Sequence, residues 1–185
     1  MIGRVLQDGT RFNCKRTPVR GAAITAIIRE IDWPCAFSQN GRSMKSDFKF
    51  HDTLRVRFAD TDLQGIVFNG NYLTYYDNAW TEYFRAMGFT YQSLIESGVD
   101  TVLARTTIEF KSVARFDDVL EVYARISKIG HTSFVFDFEI YPQGEDRLVS
   151  TATSLYVCVD PKTLEKIAAP EWLRLRIGAF EGGEV

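Results

Sequence analysis

Asn71-Tyr72-Leu73-Thr74-Tyr75-Tyr76-Asp77-Asn78-Ala79-Trp80-Thr81-Glu82-Tyr83-Phe84-Arg85-Ala86-Met87 runs without a breaker into Gly88. The spacing predicts one helix over 71–87, stopped by a glycine in the usual terminating position. On a wheel of about 100° per residue, its polar side chains (Asn71, Thr74, Asp77, Asn78, Thr81, Glu82, Arg85) fall within an arc of about 140°. The apolar ones, led by Tyr72, Tyr75, Tyr76, Trp80, Tyr83 and Phe84, fill the opposite arc of about 180°. A face that wide and aromatic implies a helix embraced by a curved sheet. An ordinary core helix predicts the same burial and differs only in the shape of its partner.

Outward from this helix the pattern is strand. On the N-terminal side, Leu54-Arg55-Val56-Arg57-Phe58 alternates apolar and charged residues. On the C-terminal side a short helical stretch, 91–96, ends at Gly98. Residues 101–111 then place Val102, Ala104, Thr106, Ile108 and Phe110 on one face. Leu120, Val122, Ala124 and Ile126 alternate with polar residues, as do Phe134, Phe136, Phe138 and Ile140. Residues 147–159 are apolar on both faces, which predicts a central strand. The connectors at 129–132 and 143–146 are too short for parallel crossovers, so the strands form an antiparallel meander. Residues 169–179 predict a closing helix with Pro170 in its first turn. The fold class is α+β, a curved antiparallel sheet around a central helix.

The 185 residues suit one domain with an extension. Hydrophobic residues make up 45% and charged residues 25%, the balance of a folded core. No stretch is long and apolar enough to span a membrane. A net charge of −2 gives no general attraction to nucleic acid. Cys14, Cys35 and Cys158 are widely spaced with no C-x-x-C, which excludes a disulfide framework or zinc knuckle and suits a reducing, cytoplasmic compartment. With only His51 and His131 in the chain, a multi-histidine metal site is excluded.

Charge is uneven along the chain. Residues 1–45 hold eight Lys/Arg against three Asp/Glu, and the remainder holds 14 against 21. Residues 1–46 are therefore expected to be a basic, poorly ordered extension, with 47–185 as the domain. An organelle transit peptide and a translation start at Met44 are two further readings of the same stretch.

The chemistry is expected between Asp60 and Tyr72. Asp60-Thr61-Asp62 sits at a strand end, just before the helix. One reading is metal-assisted phosphoryl transfer, since the D-x-D resembles that of haloacid-dehalogenase phosphatases. That pattern wants Thr or Val where Gln64 stands, and a parallel sheet. A second is acyl transfer. Amides at the helix N-terminus near Asn69-Gly70 polarise a carbonyl and hold its oxyanion. A carboxylate attacks that carbonyl or activates water. Asp62 is placed for this if residues 63–68 fold back. A third is structural, with Asp60, Asp62 and Asn69 satisfying loop amides.

Asp60-Thr61-Asp62-Leu63-Gln64-Gly65-Ile66-Val67-Phe68-Asn69-Gly70-Asn71-Tyr72, continued by Tyr75-Tyr76 and Thr81-Glu82, resembles the 4-hydroxybenzoyl-CoA thioesterase family of hotdog-fold proteins. Its branch associated with the Tol–Pal system is the most similar. The likeness extends through Ile108-Glu109-Phe110 and Ala114-Arg115-Phe116-Asp117-Asp118 to Val157-Cys158-Val159-Asp160. The resemblance implies a hotdog domain and a homodimer or homotetramer with sites at subunit interfaces. It further implies hydrolysis of a fatty or aromatic acyl-CoA to the acid and CoA, with no metal or cofactor. Asp62 takes the family's nucleophile or general-base position. Asn69 is the second expected catalytic residue, through its backbone N–H to the oxyanion or its side chain to the thioester carbonyl or a water, and Gly70, Asn71 and Tyr72 are the implied substrate contacts. The branch usually carries histidine where this chain has Asn69, and that departure motivates the alternative of a non-catalytic protein binding acyl-CoA or acyl carrier protein. Asp77 is a weaker alternative base. Arg115 with Asp117 and Asp118 reads as a structural turn or a contact to a CoA phosphate, and Cys158 as a buried hydrophobe.

Overall fold

A computed structural model describes residues 44–183. Most of the expected basic extension therefore lies outside the described residues. Its last three residues form a 3₁₀ turn with Asp47, Met44–Asp47, and Lys45 Nζ reaches the Glu145 carbonyl at 2.5 Å.

Five strands follow in chain order: β1 Phe50–Arg55, β2 Asp100–Phe110, β3 Val119–Ile129, β4 Ser133–Pro142 and β5 Ser150–Val159. They form one sheet in the order β1-β3-β4-β5-β2, antiparallel throughout. Three helices accompany it: α1 Asn71–Ala86, α2 Tyr91–Glu96 and α3 Glu171–Glu181. Met87 and Gly88 end α1, with Gly88 at φ +91°; its lack of a Cβ permits that turn.

The α1 wheel translates into burial. Tyr72, Tyr75, Tyr76, Ala79, Trp80, Tyr83, Phe84 and Met87 are buried, whereas Thr74, Asp77, Asn78 and Arg85 are exposed. The sheet's inner face supplies Leu120, Val122, Ala124 and Ile126 from β3 and Phe134, Phe136, Phe138 and Ile140 from β4, all buried. Opposite the helix aromatics β5 carries small residues, Ser150, Ala152 and Ser154, so large and small side chains interdigitate. The buried serines are not orphans. Tyr76 Oη and Ser150 Oγ lie 2.6 Å apart, and Ser154 Oγ lies 2.8 Å from Thr106 Oγ1.

Three expectations are corrected. The first strand is displaced toward the N-terminus, because its partner β3 begins at Val119, opposite Arg55. Beyond it the chain turns into a 3₁₀ turn, Phe58–Asp60. In β2 the face switches at a bulge between Leu103 and Arg105. Leu103 packs on the core beside Ile108 and Phe110, and Val102 and Ala104 are exposed. Pro170 caps α3 from outside, in extended conformation at ψ 149°, so the helix starts at Glu171. At the far end of α3, Glu181 Oε1 accepts the Ile126 amide at 3.0 Å and the Tyr83 hydroxyl. This ties the helix to the irregularity between Ile126 and Lys128 in β3.

On the outer face Glu139 is buried, although strand alternation makes it solvent-facing. Tyr141 donates to it at 2.6 Å, and burial raises its pKa above the usual carboxylate range, opposed by the Tyr141 bond and Arg125. A raised folded-state pKa means Glu139 stabilises fully below its unfolded value of about 4.3. That contribution is lost as pH rises through the folded value. Glu139→Gln keeps an acceptor for Tyr141 without the charge. Urea unfolding is therefore expected to show a gain over wild type that is small at acid pH and larger at neutral pH. An equal difference at both would refute it.

Candidate active site

After β1 the chain makes a tight hairpin. Thr61 and Val67 form an antiparallel bridge, the Asp62 amide donates to Ile66 O at 2.9 Å, and the Gly65 amide donates to Asp62 O at 2.9 Å. Gly65, at φ +70°, occupies the left-handed region that this reversal requires. The fold-back on which an acyl-transfer role for Asp62 depends is thus present. Val67 donates to Ala114 O at 2.9 Å and Phe68 to Asp60 O at 2.9 Å, which seat the hairpin on the loop before β3 and beneath the start of α1.

The two carboxylates of the D-x-D part company. Asp60 is turned inward and 3% exposed. It accepts the Arg57 guanidinium at 2.8 Å and the Arg57 amide at 2.9 Å. Hydrogen bonding from Arg57 holds its pKa below the usual carboxylate range, against the effect of burial. Asp60 is a structural pin. The antiparallel sheet also removes the parallel framework that a phosphatase reading needs.

Asp62 is half-buried. Its Oδ1 accepts the Gln64 amide at 2.8 Å, and its Oδ2 has no partner among the described residues. It lines a cavity of about 320 Å³ together with Asn69, Tyr72, Phe68, Phe110 and Ser112. Tyr72 packs edge-on against Phe110, ring centroids 5.0 Å apart, and burial pushes its phenol up to about 12, so it stays protonated.

The other expected contacts divide. The Asn71 amide is already bonded to Phe68 O at 2.9 Å and the Tyr72 amide to Asn69 O at 3.4 Å. Asn71 Nδ2 donates to Asp60 O at 2.9 Å. Asn71 therefore holds the loop and does not line the cavity, and Gly70 is not in the lining either. The amides of Asn69 and Gly70 find no acceptor among the described residues. These two N–H groups lie at the positive end of the α1 dipole, beside the cavity that Asp62 lines.

Sequence reasoning missed the wall formed by Phe110, Ser112 and Val113. Ser112 stands between Lys111 and Val113 with no motif around it, and no signal marked it. Asp77 is exposed on α1, and Cys158 is fully buried with its thiol pushed up to about 11 by burial.

Residues 56–177 match the family model described as the Thioesterase-like superfamily. The chain belongs to that superfamily. Among curated relatives, the acyl-CoA thioester hydrolase YbgC of Escherichia coli O6:H1 is 36% identical over 122 residues, covering 66% of this chain and 90% of the relative. The acyl-CoA thioesterase YbgC of Haemophilus influenzae is 30% identical over 126 residues, 68% of this chain and 91% of the relative. Among solved structures, a 1,4-dihydroxy-2-naphthoyl-CoA thioesterase from Synechocystis superposes with a TM-score of 0.63 at 25% identity, covering 69% of this chain and 94% of that one. The α+β fold of this thioesterase-like protein is the hotdog, with the sheet wrapped around α1. Among the described residues no helix is long and apolar enough to cross a membrane.

Proposed function

We propose that this thioesterase-like protein hydrolyses an acyl-CoA thioester to the free acid and CoA, with Asp62 as nucleophile or general base. The observation that carries the reading is one apolar cavity holding the Asp62 carboxylate at the N-terminus of α1, where the Asn69 and Gly70 amides are unused. The thioester carbonyl points at those two amides, which hold the oxyanion as it develops. Asp62 Oδ2 takes a proton from an attacking water, or attacks the carbonyl carbon itself, and the CoA thiolate leaves. On the second route water then hydrolyses the acyl–Asp62 anhydride, which frees the acid and restores the carboxylate. The Asn69 side chain hydrogen-bonds the thioester carbonyl or that water. Tyr72 and Phe110 line the acyl side. Membership of the 4-hydroxybenzoyl-CoA branch, and a homodimer or homotetramer that completes the site, belong to the same proposal.

The amide donors can be tested separately from the carboxylate. Gly70 sits at φ −64°, which proline also adopts, so Gly70→Pro deletes one N–H. A new Cβ there meets the outer edge of the Phe68 ring at 2.9 Å; Gly70→Ala introduces the same contact and keeps the N–H. Gly70→Pro is expected to lower kcat for thiol release by about 10²-fold or more, relative to Gly70→Ala. Equal rates in the two variants would remove Gly70 as an oxyanion donor. Tight acyl-CoA binding without thiol release by wild type would favour the binding-protein alternative and make Asn69 the residue to explain.

A further inference from the structure

We infer that Arg115 is the positioning residue that holds the turn bearing Asp62, a role resting on Asp62 as the reacting carboxylate. Arg115 lies in the loop between β2 and β3, on a turn fastened from two sides. Its amide donates to Asp118 Oδ2 at 2.8 Å, and the Asp118 amide returns to Arg115 O at 3.1 Å. The turn is bolted to the end of β1: Val56 donates to Asp118 O at 2.9 Å and Asp117 donates to Val56 O at 3.0 Å. Arg55 Nη1 reaches the Asp117 carboxylate at 2.9 Å.

From this anchored base the Arg115 guanidinium crosses to Gly65 O at 3.2 Å. Gly65 is the apex of the hairpin whose own bonds orient Asp62, through the Gly65 amide to Asp62 O at 2.9 Å and the Gln64 amide to Asp62 Oδ1 at 2.8 Å. The neighbouring arginines are used differently. Arg55 pairs with Asp117 and Arg57 with Asp60, whereas Arg115 has no carboxylate partner among the described residues. Its charge is not consumed by an ion pair. Its bond goes to the carbonyl of a residue in the left-handed region, at the point where the hairpin reverses. Glycine leaves that apex conformationally loose, so an external strut there limits the drift of the Asp62 carboxylate relative to the Asn69 and Gly70 amides.

The experiment compares wild type, Arg115→Ala and Arg115→Lys, with Arg115→Met, which keeps an apolar stem and no donor, in reserve should the alanine variant fail to fold. Amide hydrogen exchange at Asp62 and Gly65 is read first, since it needs no activity. Both amides are expected to exchange about 10-fold faster in Arg115→Ala and to be largely re-protected in Arg115→Lys, which restores a donor. Thiol release is then measured from an acyl-CoA and from the same acyl group on N-acetylcysteamine, which lacks the nucleotide. A strut predicts a kcat about 10-fold lower on both substrates, with KM unchanged on both. A KM rise confined to the acyl-CoA would overturn the inference and assign the guanidinium to a CoA phosphate. Unchanged exchange in Arg115→Ala would overturn it whatever the kinetics. Absence of thiol release by wild type on either substrate would instead defeat the proposed hydrolysis and leave the clamp to be decided by exchange.

Discussion

Asp62→Asn is expected to lower kcat for acyl-CoA hydrolysis by about 10³-fold or more, with the fold and acyl-CoA affinity retained. The substitution is isosteric. Its amide oxygen can still accept the Gln64 N–H that now binds Asp62 Oδ1 at 2.8 Å, so the hairpin keeps its bonds. What disappears is the negative charge on the oxygen with no partner among the described residues, the atom asked to attack or to accept a proton. An asparagine there does neither near neutral pH. Thiol release under saturating substrate is the readout, alongside binding of a non-hydrolysable thioether analogue of the acyl-CoA. Full turnover in a folded Asp62→Asn protein would sink the mechanism and move attention to Asp77, the exposed carboxylate on α1. Lost turnover with lost analogue binding would show a broken site and say nothing special of the carboxylate.

The fold was legible because burial on α1 follows one period over more than four turns, with exposure of apolar residues confined to the margins of the arc, at Leu73 and Ala86. Strand edges were less legible. Leu54-Arg55-Val56-Arg57-Phe58 alternates as well as any strand, yet the ladder ends at Arg55 opposite Val119. The partner's preceding residues form a turn, with Asp117 at φ 71°, that bonds Val56 and then leads away. Pairing length is a property of the partner, and local alternation does not carry it. The bulge in β2 is similar: Val102 and Leu103 differ little as sequence, and the register with β5 decides which of them meets the core. Glu139 is flanked by Tyr141, bonded to it, and Tyr123, paired with it across the strands. These two are in turn met by Lys45 over the Tyr141 ring at 4.5 Å and Phe48 against Tyr123, from a segment nearly a hundred residues earlier.

The site divides the same way. The separate fates of Asp60 and Asp62 depend on Arg57, which reads in sequence as an ordinary exposed strand residue. Its guanidinium satisfies the first carboxylate, whereas the second keeps an oxygen with no partner among the described residues. Asn69 and Tyr72 were legible as neighbours of Asp62 through their motif. Phe110 and Ser112 reach the cavity only through the sheet's tertiary path, which no local pattern encodes.

Phe136→Ala is expected to destabilise the protein by about 3–5 kcal/mol, a large part of the roughly 5–15 kcal/mol that holds such a domain together. Phe136 is fully buried, stacked on Phe138 at 5.2 Å and edge-on to Tyr83 at 5.0 Å and Tyr156 at 5.8 Å. Removing its ring leaves a void that rigid aromatic neighbours cannot collapse to fill. Phe136→Leu keeps most of the apolar volume and is expected to cost less. The loss should appear in urea unfolding as a lower midpoint with an unchanged slope. It should not appear in kcat measured at low temperature, where the variant stays folded. Phe136 meets the C-terminal half of α1, whereas the N-terminal half that presents Asn69 and Gly70 is held by Tyr72 on Phe110 and by Tyr76 on Ser150. A kcat that fell in step with stability would mean that the helix transmits disorder along its whole length, and that the site depends on the entire core and not on the hairpin and loop that surround Asp62.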